Sequence, residues 1–358
     1  MMPLLLSATF FRNTNPYRTV ESPIFIVGAN RSGTTLLRLI LNAHPRIGIP
    51  DEFIYLDASI ADVPIDAWRA PGLSRAAYAL FVDRFLENRK EVLSGVNLRA
   101  LRDHILDGPR DLRRPFRCAL RAWARRHDAD RWGEKTPGNL FYADVLVDMF
   151  PDARFVYIVR DPRAGVASMQ RVSFFSNDAV FNALSRRKYD IRGRAHLREA
   201  VPEAQRTRLR YEDLVRRPES EVRSLCAFLD EPYSARMLHF HREAGRYMKD
   251  DAKDDYNTQA THAITDERVD AWTDALSGRQ VAVVEAICRP IMEEHAYERV
   301  GETLAPLHHA GVLVRQLYWR YQCFRHRDVP HYTVKHRLLA RTRERLTDSL
   351  ALSTSSSG

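Results

Sequence analysis

"GANRSGTT", residues 28–35, is the stretch on which the reading of this chain turns. The apolar run "PIFIVG" (23–28) leads into it and "TTLLRLILNAHP" (34–45) follows. The first reads as a buried strand, the second as a helix closed by His44-Pro45. A strand, a glycine turn and a helix start gather several backbone N–H groups around one point. The helix dipole adds about half a positive charge there, so an anion binds readily. Gly28 and Gly33 occupy the glycine positions of the pattern G-x-x-x-x-G-K-[ST], and Thr35 occupies the last one. Thr34 stands where the lysine belongs, and Arg31 supplies a cation inside the loop instead. In nucleoside triphosphate sites that lysine reaches the outer phosphates, and a strand-end aspartate helps to hold magnesium. No run ending in such an aspartate is evident, so the loop suits a shorter and less charged donor than ATP.

Working outward, "RFVYIV" (154–159) reads as a second buried strand with a helix beginning at "AGVASMQR" (164–171). "RTRLRYEDL" (206–214) reads as a third strand turning into a helix, and "ESEVRSLCAFLD" (219–230) as an amphipathic helix after Pro218. Residues 60–130 read as a mostly helical insertion, and 269–287 as helix. The polar, aperiodic stretch 249–267 is a candidate lid. This alternation predicts an α/β fold, a central, mostly parallel sheet flanked by helices. It occupies residues 20–300, followed by a basic amphipathic helical extension (301–345) and a disordered tail (346–358).

"FVYIVRDPRAGVASM" repeats the logic of the first loop: a strand ends at Arg160, Pro162 fixes the turn, and the next helix carries Ser168. In a parallel sheet both loops open at the carboxyl ends of their strands, where ligands bind. Two anion sites on one edge suit a ligand with phosphates at both ends. The plainer reading makes Arg160 and Asp161 a structural ion pair.

The set "FIVGANRSGTTLL", "EKTP", "FVYIVRDPRAGVASM" and "RYEDLVRRPESEVRSLCAFLD", in this order, resembles the sulfotransferases that use 3′-phosphoadenosine 5′-phosphosulfate. The resemblance covers residues 23 to about 290. It implies the P-loop-like sulfotransferase fold and this nucleotide as co-substrate. The transferred sulfuryl group has a single negative charge, which removes the main need for a metal. By the same resemblance, Arg31, Ser32, Gly33, Thr34 and Thr35 cradle the 5′-phosphosulfate, and Arg160 and Ser168 hold the 3′-phosphate. Tyr211 would line the donor site, although a core tyrosine with a satisfied hydroxyl is an equal reading.

Sulfuryl transfer needs a base on the acceptor hydroxyl and a cation on the bridging oxygen. The small-phenol enzymes place a histidine shortly after a lysine, whereas here Lys135 is followed by "TPGNL". "NAHPRIGIPDEF" resembles the protein-tyrosine and carbohydrate branch, in which a glutamate after a His-Pro is the base. Glu52 occupies that position, with Asp51 as its rival, and Lys135 resembles the catalytic lysine, although a lysine at a strand end is usually solvent-facing. The family's C-terminal "RKG" segment has no counterpart.

Composition bounds the alternatives. The 358 residues are 45% hydrophobic and 28% charged, as in a soluble globular protein. Four scattered cysteines form no metal or disulfide framework, and no apolar run is long enough to span a membrane, so the chain reads as cytoplasmic. The net charge of +9 concentrates at 110–131, with eight arginines against three aspartates, and at 301–358. With no nucleic-acid motif, these are solvated faces or a surface for an acceptor or membrane. The helix around Trp319 and Tyr321 packs on its own domain, docks on a membrane, or pairs with a second subunit. The acceptor is a hydroxyl of a small molecule, glycan, lipid or peptide. Two rival functions are an ATP-dependent small-molecule kinase with a degenerate loop and a non-catalytic nucleotide-binding protein.

Overall fold

The apolar run before the glycine loop forms the middle strand of the sheet. In the computed structural model, residues 22–53, 74–173, 175–247, 262–301 and 306–325 are described. Strand β1 (Ile24–Gly28) is buried throughout and feeds helix α1 (Thr34–Asn42). A two-residue strand, β2 (Ile47–Gly48), precedes three helices: α2 (Arg75–Glu87), α3 (Leu98–Leu106) and α4 (Arg113–Arg126). Next come β3 (Arg131–Lys135), α5 (Ala143–Met149), β4 (Arg154–Val159) and α6 (Pro162–Gln170). Then follow α7 (Ala179–Arg187), α8 (Arg194–Ala200), β5 (Arg206–Arg210), α9 (Tyr211–Arg216) and α10 (Pro218–Phe228). Helices α11 (Trp272–Ala275), α12 (Gly278–Glu294) and α13 (Pro306–Arg325) complete the order.

The strands lie in the order β2-β3-β1-β4-β5, and every pair is parallel. All carboxyl ends therefore point the same way, and β1 sits between β3 and β4. The registers Ile26 to Lys135, Gly28 to Ile158 and Val159 to Arg210 bring four strand ends to one edge. The expected α/β architecture is the one observed.

Strand β3 is hard to see in the sequence because "RWGEK" is polar, yet all five residues are buried. Its charges are paired inside: Arg131 meets Glu231 at 3.1 Å and also donates to the Ser22 carbonyl. Trp132 joins Phe25, Phe116, Phe150 and Phe155 in one aromatic core. The stretch 269–287, read as continuous helix, breaks at Ser277. There the side chain accepts from the Gln280 amide while the Gln280 side chain accepts from the Ser277 amide, a capping box that starts α12 afresh. A second apolar cluster joins α6, α7 and α12, and α13 adds Val312 and Trp319 to it. Residues 249–261 of the candidate lid, residues 302–305 and 326–345 of the extension, and the tail lie outside the described residues.

Candidate active site

The loop between β1 and α1 is built for close approach. A Cβ on Gly28 would collide with the Ile158 carbonyl of the neighbouring strand. Gly33 caps α1 in a left-handed conformation (φ 95°), where a Cβ would meet the Tyr211 ring at 2.5 Å. Arg31 is itself left-handed (φ 64°), a strained geometry for a residue with a side chain. Other helices close their starts with a side-chain oxygen, as Ser74, Asn97, Asp178 and Ser277 do. Helix α1 has a glycine there, no capping side chain and no acid in its first turn. Its leading amides thus face outward with the positive end of the dipole.

The second cluster lies against the first. Arg31 Nε donates to Ser168 Oγ on α6 at 3.1 Å, which joins the two loops directly. Arg160, at the end of β4, donates to the Arg31 carbonyl at 3.4 Å and to the Arg268 carbonyl at 2.6 Å. Its guanidinium stacks over the Tyr211 ring, 4.1 Å from the centroid. Arg160 Nε is buried with no hydrogen-bond partner among the described residues. Asp161 does not pair with Arg160, as the plainer sequence reading has it. It caps α6 and binds Arg163 at 2.7 Å, and Arg163 in turn reaches Glu285. This leaves Arg160 turned toward the loop rather than neutralised beside it.

Arg186 was not singled out from the sequence, yet it lies under both loops. Its guanidinium donates to the Asn30 carbonyl (2.9 Å), Ser32 Oγ (3.1 Å) and the Arg160 carbonyl (3.1 Å). Only glycine at position 165 makes room for it. In "SRRKYD" the residue reads as a solvated helix end, and Gly165 gave no signal without the packing. Ser32 is thereby committed to holding the loop, and its hydroxyl accepts from Arg186.

The third cluster gathers at the end of β3. Lys135 is only 2% exposed, against the expectation of a solvent-facing lysine. Its ammonium donates to Glu52 Oε1 at 3.1 Å and to Asp51 Oδ1 at 3.2 Å. Burial alone would raise the Asp51 carboxyl. The charges of Lys135 and Arg38 and the Glu52 amide outweigh it and hold Asp51 well below the usual carboxylate range. Glu52 is the more open of the two, its side chain 36% exposed against 22%. Behind them, fully buried Glu134 accepts from the Phe53 amide at 3.3 Å and from Thr136 and Asn139. That carboxyl ties the segment carrying Asp51 and Glu52 to the strand carrying Lys135.

A model described as the sulfotransferase family matches residues 23–235. The chain belongs to the sulfotransferase family. Among its relatives, protein-tyrosine sulfotransferase A of Caenorhabditis elegans is 23% identical over 302 residues, spanning 81% of this chain and 71% of the relative. Protein-tyrosine sulfotransferase 1 of Danio rerio is 28% identical over 230 residues, 62% of this chain and 57% of that one. Two solved domains share the fold. The sulfotransferase domain of the Synechococcus PCC 7002 olefin synthase superposes with a TM-score of 0.55 at 21% identity, covering 77% of this chain and 95% of its own. The sulfotransferase domain from the curacin biosynthetic pathway gives 0.53 at 18%, covering 78% and 99%. The activity of the chain is sulfuryl transfer.

Glu134 gives this sulfotransferase a pH dependence. Burial pushes its carboxyl up from 4.5 to about 7, against the opposing pull of Thr136, Lys135 and the Phe53 amide. Below about 4.5 both folded and unfolded chains hold the proton; between there and about 7 only the folded chain does. Stability therefore falls as pH rises through this window, by about 3 kcal/mol at about 1.4 kcal/mol per unit. Glu134→Gln removes that slope. Urea midpoints measured across the window are expected to move in the variant's favour with rising pH, and parallel curves would show that Glu134 does not titrate there.

Proposed function

We propose that this sulfotransferase moves the sulfuryl group of 3′-phosphoadenosine 5′-phosphosulfate to an acceptor hydroxyl in a single in-line step, with Glu52 as base. The observation that carries the reading is Lys135, buried at a strand end and within 3.2 Å of both acidic candidates. It stands at the same sheet edge as an uncapped helix start.

The donor fits this edge. The leading amides of α1, with Gly33, Thr34 and Thr35, would receive the 5′-phosphosulfate, and Arg31 would add a forked cation. Arg160, with a buried N–H that has no partner among the described residues, and Ser168, with a half-buried hydroxyl, would hold the 3′-phosphate. Because Arg31 and Ser168 touch, the two anionic groups would bind on either side of that contact. Tyr211 would line the site from beneath Arg160, and Ser32 would act through Arg186, shaping the loop.

In the step, the acceptor oxygen forms a bond to sulfur as the bond from sulfur to the bridging phosphate oxygen breaks. The acceptor proton passes to a Glu52 oxygen, and the electron pair leaves with adenosine 3′,5′-bisphosphate. Lys135 supplies a hydrogen bond to that departing oxygen as its charge grows. Asp51, locked as an anion by two cations, makes a poor base and serves to aim Lys135. The relatives' names point to a tyrosyl phenol as the first acceptor to try.

Incubating the purified chain with donor labelled in the sulfuryl group and with tyrosine-containing peptides tests this directly. Label is expected on the peptide, undiminished by EDTA. Transfer of phosphate from labelled ATP instead, or loss of transfer on chelation, would contradict the reading.

A further inference from the structure

Seven large apolar side chains stand exposed among the described residues, and five of them lie on α13: Leu313, Val314, Leu317, Tyr318 and Tyr321. At helical spacing these positions form one continuous stripe. The opposite face is already used. Val312 is buried, Trp319 packs near Phe181 with ring centroids 6.1 Å apart, and Arg315 meets Asp178 at 3.2 Å. The helix is therefore docked on the body with its second apolar face turned outward. A concentration of this kind marks an interaction surface rather than ordinary surface composition.

Charge selects the occupant. The helix itself, residues 306–325, carries three arginines and no acid. Pairing two copies through this stripe would bring two such segments together at the expense of like-charge repulsion. An anionic lipid surface offers the complementary charge, with an apolar layer beneath it for the stripe. None of the described helices is long and apolar enough to cross a membrane, so α13 is suited to lie along one.

We propose that α13 rests on anionic lipid, with Leu313, Val314, Leu317 and Tyr321 entering the boundary between headgroups and acyl chains. None of these side chains belongs to the residues assigned to the transfer step.

Co-sedimentation of the full chain with phosphatidylcholine vesicles containing about one-third phosphatidylserine tests this. Wild-type protein is expected to partition at least about tenfold better onto these vesicles than onto pure phosphatidylcholine, and less well as salt is raised. The double variant Val314→Glu/Leu317→Glu alters two exposed side chains outside the transfer machinery. It should keep the wild-type Tm and the transfer rate to a soluble acceptor while losing about tenfold in partitioning. Three outcomes overturn the proposal: no preference for the anionic vesicles, equal partitioning of the variant, or a wild-type dimer that the variant splits, which would assign the stripe to a second copy.

Discussion

Replacing Lys135 by alanine is expected to lower kcat by about two to three orders of magnitude while donor affinity changes by less than about threefold. An ammonium carries three N–H donors, and Asp51 and Glu52 take two of them. Among the described residues the third has no partner, and it would serve the oxygen that gains charge as the sulfuryl group departs, an interaction that is strong only in the transition state. Burial sharpens the effect, because a desolvated cation in a low-dielectric site acts at nearly full strength. Arginine should not rescue the variant: a planar fork cannot satisfy two carboxylates and a third oxygen from one point. Single-turnover rates beside nucleotide titrations check the split. Equal losses in both would make Lys135 a binding residue only.

Glu52→Gln is expected to lower kcat by about two to four orders of magnitude. Asp51→Asn should cost far less. The difference follows from their surroundings. Asp51 is held well below the usual carboxylate range by Lys135 and Arg38, so it stays ionised wherever the enzyme works and cannot be the group whose protonation stops it. Single-turnover rates of the two variants check this; if Asp51→Asn costs the larger factor in kcat, the two roles are reversed.

Where apolar runs and glycines carry the information, the fold was legible. The run at Ile24–Gly28 and the glycines at 28 and 33 specify a strand, a tight turn and an open helix start. The run at Arg154–Val159 does the same for the neighbouring strand. The resemblance at Lys135 marked the end of strand β3, but its own residues gave no strand pattern, because they are polar and satisfied by partners distant in sequence, Arg131 by Glu231 for example. The site shows the same division. Residues at strand ends could be found from the loops that follow them. Arg186 could not, since its purpose depends on a helix packing beneath the loop and on Gly165 leaving space. Lys135 was found in position but not in environment, and the environment is what gives it chemical force.

In the proposed reaction two adjacent loops grip an adenosine nucleotide by phosphates at its 3′ and 5′ positions. Calorimetric titration of the purified chain with adenosine 3′,5′-bisphosphate and, separately, with AMP measures this most directly. The bisphosphate is expected to bind at least about tenfold more tightly, since Arg160 and Ser168 would engage only its extra phosphate. Equal affinity for the two nucleotides would contradict it.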